Sequence, residues 1–181
     1  MNSHSKPVRI SIRKKFLSFD KITKINETIT SWTLKQKKKQ LYKDVTIANI
    51  ENWQLQHLKS LESAYSNSPF YEFYQDDLRS LFEIPVKYLM DFNFKCLEVV
   101  LDCLQLDLDY ALSESFEKSP ANCIDHRSLV NVKSEVDLRF KPYKQVFSDK
   151  YNFLPNLSIL DLLFNEGPNT LAYLQMHWIL V

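Results

Sequence analysis

A chain of 181 residues, 45% hydrophobic and 25% charged, suffices for one domain that buries about 70% of the surface its unfolded form exposes. This composition excludes a disordered chain, a collagen and a disulfide miniprotein. Glycine occurs once, at Gly167. That rules out a phosphate-cradling loop, a dinucleotide fingerprint and a nucleophile elbow, each of which needs several glycines where backbone turns sharply or meets a ligand.

The net charge of +1 is unevenly spread: residues 1–45 hold 12 Lys or Arg against 3 acidic residues, and the remainder is acidic. Such a split implies either a basic arm for an anionic partner or two halves that attract across one fold; the apolar pattern within the basic segment favours the second. Cys96, Cys103 and Cys123 are odd in number and lack paired spacing. With no signal peptide in front, they read as reduced thiols of a cytoplasmic protein. The most continuous apolar stretch, Cys96 to Leu106, is interrupted by Glu98, Asp102 and Gln105 and falls far short of the about 20 residues that span a bilayer, so no membrane span is expected.

In chain order, Val8, Ile10 and Ile12 alternate with Arg9, Ser11 and Arg13, the pattern of a half-buried strand. Thr28 to Leu34 repeats that pattern with β-forming residue types. The run Lys35, Lys37, Lys38, Lys39 reads as a solvated loop, and Asp44 to Ile47 as a third short strand. From Asn52, a candidate N-cap, the period becomes helical, with Leu58, Leu61 and Tyr65 on one stripe and a helix expected near 54–65. Phe70, Tyr71, Phe73 and Tyr74 form a dense aromatic cluster that either buries area or lines a groove. Pro85 introduces the longest helix, expected near 86–105. Its polar residues Asp91, Lys95, Glu98, Asp102 and Gln105 make one narrow stripe, which marks it as the central core element. Alternation of Leu106, Leu108, Tyr110 and Leu112 with polar or small residues reads as a further strand over 106–113.

Residues 114–141 are irregular, with Asp125 a cap for a short helix containing Leu129 and Val130. Leu157, Leu160, Leu163 and Phe164 predict a helix near 157–165, led by Asn156 and ended by Gly167 and Pro168. A last helix is expected near 170–179. The fold class read from these segments is α+β: a single domain with a small antiparallel sheet covered by helices and a helix-rich C-terminal half.

Two strings, NWQLQHLKSLESAYSNSPFYEFYQDDL at 52–78 and FLPNLSILDLLFNEGPNTLAYL at 153–174, resemble the WbqC-like protein family. YLMDFNF at 88–94 and YKQVFSDK at 143–150 extend the resemblance over about residues 41–174. Family members are bacterial proteins associated with O-antigen or capsule gene clusters. The resemblance therefore implies surface-polysaccharide biosynthesis, with work on an activated sugar such as a nucleotide sugar, and a transferase-like group transfer onto an amino sugar. At the front the chain departs from the family: a motif close to NYQKQSYRNR is absent from residues 1–39, which form a divergent basic segment.

Among candidate site residues, His57 and Ser60 lie three apart beside the Leu58 stripe, where an imidazole could meet a hydroxyl. His57 is either a core histidine or a general acid or base. Ser158, Asp161 and Asn165 fall on one face of the C-terminal helix. Asp and Asn are poor helix formers, so that face holds a buried network or a ligand rather than plain solvent. Asp161 is a catalytic candidate beside His57, and Asn156, Ser158 and Asn165 are substrate-binding candidates. Tyr143, Gln145 and Phe147 alternate and suit either a sugar ring or a core rim, so Tyr143, Gln145 and Ser60 join the substrate-binding set. Asp107 and Asp109, two apart on one strand face, read as water-facing rather than as a glycosidase pair. His4, His57, His126, His177 and the cysteines show no ligand spacing, and the expectation is no metal and no cofactor. The competing function classes are a non-catalytic binding or scaffold module and, last, nucleic-acid binding through the lysine cluster. The apolar tail His177 to Val181 reads as packing or a homo-oligomer contact.

Overall fold

The computed structural model describes residues 41–48, 52–113, 115–119, 125 and 140–177. The expected strands at Val8 to Arg13 and Thr28 to Leu34, the lysine cluster, Cys123, His126, the helix around Leu129 and residues 178–181 lie outside them.

Helix α1, Trp53–Tyr65, follows its predicted stripe and buries Leu61, Ala64 and Tyr65. Asn52 does not cap it with its side chain; only its backbone carbonyl takes part, accepting from Gln56 N–H at 3.2 Å. Helix α2, Tyr71–Glu83, grows out of the aromatic cluster and buries Tyr71, Tyr74, Leu78 and Leu81. Those positions step by three, four and three, the spacing of a single helix face. Helix α3, Leu89–Cys103, buries Phe92, Leu97 and Val100, and its polar stripe from Asp91 to Gln105 is exposed as expected. The central position belongs to α2, which packs on α1 and α3 and on the later helix Ile159–Glu166, and not to the longest helix.

Helix α3 starts three residues past the predicted position because residues 86–88 are not helical. Ile47 N–H donates to the Lys87 carbonyl and Leu89 N–H to the Val45 carbonyl, both at 2.9 Å. This makes a single antiparallel bridge, Thr46 with Tyr88.

The α+β expectation is overturned. The described residues are mainly helical and contain no sheet. The alternating segment 106–113 is irregular backbone. Gln105 turns the chain at φ +52°, and the Tyr110 ring then stacks on Phe94, 6.0 Å between centroids and 8° from parallel. The Tyr110 hydroxyl donates to Glu98 at 3.5 Å, so the segment lies along the surface of α3. A two-residue period encodes two faces, but it becomes a strand only where a partner backbone takes up its hydrogen bonds.

The C-terminal part comprises a one-turn helix α4, Ser148–Tyr151, then α5, Ile159–Glu166, and α6, Thr170–His177, with a 3-10 turn at Gly167–Asn169 between the last two. Asn156 sits in the left-handed region at φ +59°, so α5 begins at Ile159 and its cap is Ser158, whose hydroxyl accepts from Leu160 N–H. The core closes where α1, α2 and α5 meet. There the Phe164 ring lies 4.9 Å from Tyr65 and 5.2 Å from Tyr71, contacts that contribute about 0.5–1.5 kcal/mol each beyond the area they bury. Phe70 N–H donates to the Phe164 carbonyl at 3.0 Å and locks the α1–α2 turn onto α5. Among the described residues no helix is long and apolar enough to cross a membrane.

Candidate functional site

Helix α5 presents Asp161 to the interior, where the residue is only 3% exposed. Its carboxylate accepts from the Tyr143 hydroxyl at 2.6 Å, from Gln145 Nε2 at 3.3 Å and from the Tyr65 hydroxyl on α1. Gln145 is 4% exposed; its Nε2 also donates to the Leu154 carbonyl, and its Oε1 accepts from Leu154 N–H, both at 2.9 Å. This two-way clamp on one backbone unit fixes the amide's orientation. Asn165, one helical turn on, donates its Nδ2 to the Asp161 backbone carbonyl at 2.7 Å. Tyr143 is half-buried, flanked edge-on by Phe153 at 5.4 Å and Tyr173 at 5.3 Å. Tyr173 ties back to the Lys141 carbonyl at 2.6 Å.

No cation touches this carboxylate among the described residues. Burial pushes the Asp161 carboxyl above its ordinary range, and the hydrogen bonds from Tyr143, Tyr65 and Gln145 pull it back. Tyr65 and Tyr143 are both pushed up, first by burial and then by the neighbouring Asp161. Both phenols therefore remain protonated donors at neutral pH, and neither serves as a base. The arrangement can hold and polarise a polar ligand group through Tyr143, and it can store a proton on Asp161.

The sequence candidates divide around this cluster. Tyr143, Gln145, Asp161 and Asn165 come together. Ser158 is buried, but its hydroxyl is occupied as the α5 cap. Asn156 is exposed at the turn before the helix. Ser60 does not meet His57; its hydroxyl donates to the Gln56 carbonyl at 2.7 Å. His57 lies eight residues before Tyr65, two turns or about 12 Å along α1. It packs against Trp53 at 5.4 Å and Phe82 at 5.9 Å. Its Nε2 has no hydrogen-bond partner, and burial lowers its pKa below 6.5. Tyr65 stands in the sequence as a member of the apolar stripe; the hydroxyl it carries at a core position is the sign there of a buried polar partner.

Elsewhere, a groove of ≈ 430 Å³ runs between α2, the end of α3 and the turn at Gly167, lined in part by Phe73, Asp77, Asp102 and Cys103. The Cys103 thiol is pushed up to about 11, by burial first and then by Asp77 and Asp102, and Cys96 to about 12 by burial. Thiols so shifted are not nucleophiles at neutral pH. Among the described residues no group of three or more His, Cys, Asp or Glu side chains could hold a metal ion.

The family model of the WbqC-like protein family matches residues 12–138 and 131–173. The match begins well ahead of Leu41, inside the basic segment read as divergent, and it contains the whole Asp161 cluster. No curated protein and no solved structure matches the chain. With nearly its whole length matched, the chain belongs to the WbqC-like protein family.

Proposed function

We propose that this protein acts in bacterial surface-polysaccharide biosynthesis, on an activated sugar such as a nucleotide-linked amino sugar, by group transfer at the Asp161 cluster. The observation that carries the reading is half-buried Tyr143, its ring flanked by Phe153 and Tyr173 and its hydroxyl held at 2.6 Å by a buried carboxylate. Aromatic faces with one oriented polar group suit the apolar and hydroxyl-bearing faces of a sugar ring. Asp161, Gln145 and Asn165 orient that group. The role of a general base at His57 does not belong to the proposal, because His57 stands two helical turns from Tyr65.

A second reading, a non-catalytic binding or scaffold module, is favoured by one observation: Gln145 spends both ends of its amide inside the chain, on Leu154 and Asp161. Thermal unfolding of the full chain with nucleotide sugars and acyl donors separates the two, since a ligand that binds only the native state raises its stability. A shift with a nucleotide sugar that Tyr143→Phe abolishes supports the first reading. A cooperative transition that no ligand moves supports the second.

A further inference from the structure

The groove between α2 and the end of α3 is built apart from the Asp161 cluster, since none of Tyr143, Gln145, Asp161 and Asn165 lines it. Its ≈ 430 Å³ falls within the size range of small-molecule sites. Much of the wall is apolar: Val99 and Leu104 come from the α3 side, Pro168 and Leu171 from the turn and helix that follow α5. Phe73 adds a ring that is 74% exposed and lies edge-on to Tyr74 at 4.8 Å.

The polar atoms of this lining are mostly acceptors. Ser80 spends its hydroxyl proton on the Asp77 carbonyl at 2.6 Å. The Cys103 thiol, a weak donor, lies 4.0 Å from the Asp77 carboxylate and links α3 to α2. Asp77 from α2 and Asp102 from α3 face the same space, and among the described residues neither is ion-paired. Arg79, two residues from Asp77, turns to Asp76 instead, at 3.9 Å. Among the described residues no Lys, Arg or His lines the groove. The Cys103 thiol registers both carboxylates, each of which helps to keep it protonated. An ionised carboxylate only accepts hydrogen bonds, so charge and hydrogen bonding together call for a positively charged donor.

We propose that this groove is a second binding site, for a small organic cation: an ammonium on an apolar stem, its charge received by Asp77 and Asp102 and its stem laid against Phe73 and Leu171. An apolar wall beside a few converging polar groups is the usual make-up of a small-molecule site, and the exposed Phe73 ring adds its attraction for a cation. A phosphate-bearing ligand meets two like charges here and is repelled. A nucleotide sugar therefore does not belong in this groove, and the site is independent of the sugar reading above.

The test is an NMR titration of the ¹⁵N-labelled full chain with phenethylamine and with its uncharged counterpart, 2-phenylethanol. The amine is expected to shift the amide signals of Phe73, Asp77, Asp102 and Leu171 at a concentration roughly tenfold below that of the alcohol, since two exposed charge contacts supply a few-fold each. Added salt weakens the amine and leaves the alcohol unchanged. Asp77→Asn and Asp102→Asn each narrow the difference by roughly threefold. Phe73→Ala weakens both probes alike. All three substitutions fall on exposed side chains, so the fold is retained, and unchanged amide signals away from the groove check this. Equal response to amine and alcohol, a preference that survives both Asp substitutions, or no shift of the groove residues with either probe overturns the proposal. Each of these outcomes leaves the reading of the Asp161 cluster untouched, because the two sites share no residue.

Discussion

Gly167 lies directly against the ring of Phe70: a Cβ built on this glycine would stand 2.6 Å from two ring carbons. Its backbone adopts φ +53° and ψ −122°, a region that L side chains avoid. Phe70 is also the residue whose N–H bonds the Phe164 carbonyl, so the one glycine of the chain and the α1–α2 turn fix each other. Gly167→Ala is expected to destabilise the fold by about 2–5 kcal/mol through strain and overpacking together. Urea unfolding measures it, and a loss within roughly 0.5 kcal/mol would place the residue among unconstrained surface positions.

Truncating Asp161 strands three donors at once. Asp161→Ala leaves Tyr65, Tyr143 and Gln145 facing an empty buried space, while Tyr143→Phe removes one donor of three. The expected losses are about 3–5 kcal/mol for the first and about 1–2 kcal/mol for the second, on the scale of unsatisfied buried polar groups. Equal losses in the two variants would mean that the carboxylate is not the hub of the network.

The helices were legible wherever apolar positions repeated at helical spacing. Leu58, Leu61 and Tyr65 predicted α1, and Leu160, Leu163 and Phe164 predicted α5, each within two residues of the observed ends. Helix α2 carried the same signal in Tyr71, Tyr74, Leu78 and Leu81 but was masked by the exposed Phe73 among its aromatics. The strand over 106–113 failed for a physical reason: alternation describes side chains, whereas a strand also needs a partner, and Tyr110 found Phe94 and Glu98 instead. Asp161, Asn165, Tyr143 and Gln145 were legible because polar residues poor in helix propensity stood inside leucine-rich or aromatic strings. Ser60 and Asn156 were not separable from them by spacing alone, since local backbone bonding and a left-handed turn claimed both.

His57 gives the fold a pH dependence with a definite sign. Its folded pKa lies below the ordinary value of 6.5 because of burial among Trp53 and Phe82. The unfolded chain therefore takes up a proton first as pH falls, and stability present above about pH 6.5 is lost as pH drops toward the folded pKa. His57→Phe is expected to flatten this loss between pH 7.5 and 5.5. Identical slopes for variant and wild type in urea titrations at both pH values would remove His57 as the cause.

Asp161 acts in the opposite sense. Burial raises its folded pKa above the ordinary 3.8, so the folded state holds the proton more tightly than the unfolded chain. Its contribution is fully present below the unfolded pKa and disappears as pH rises through the folded pKa. Asp161→Asn should therefore cost least stability near neutral pH, where the wild type carries a desolvated charge, and most in acid. A cost that grows toward neutral pH would show that the three hydrogen bonds outweigh burial.

The most direct measurement is a heteronuclear NMR titration of the full chain with a nucleotide-linked amino sugar. The account predicts shifts centred on Tyr143, Gln145, Asp161 and Asn165, reduced in Tyr143→Phe. Shifts confined to the groove at Phe73, Asp77 and Asp102, or none at saturating ligand, would contradict a sugar site at Asp161.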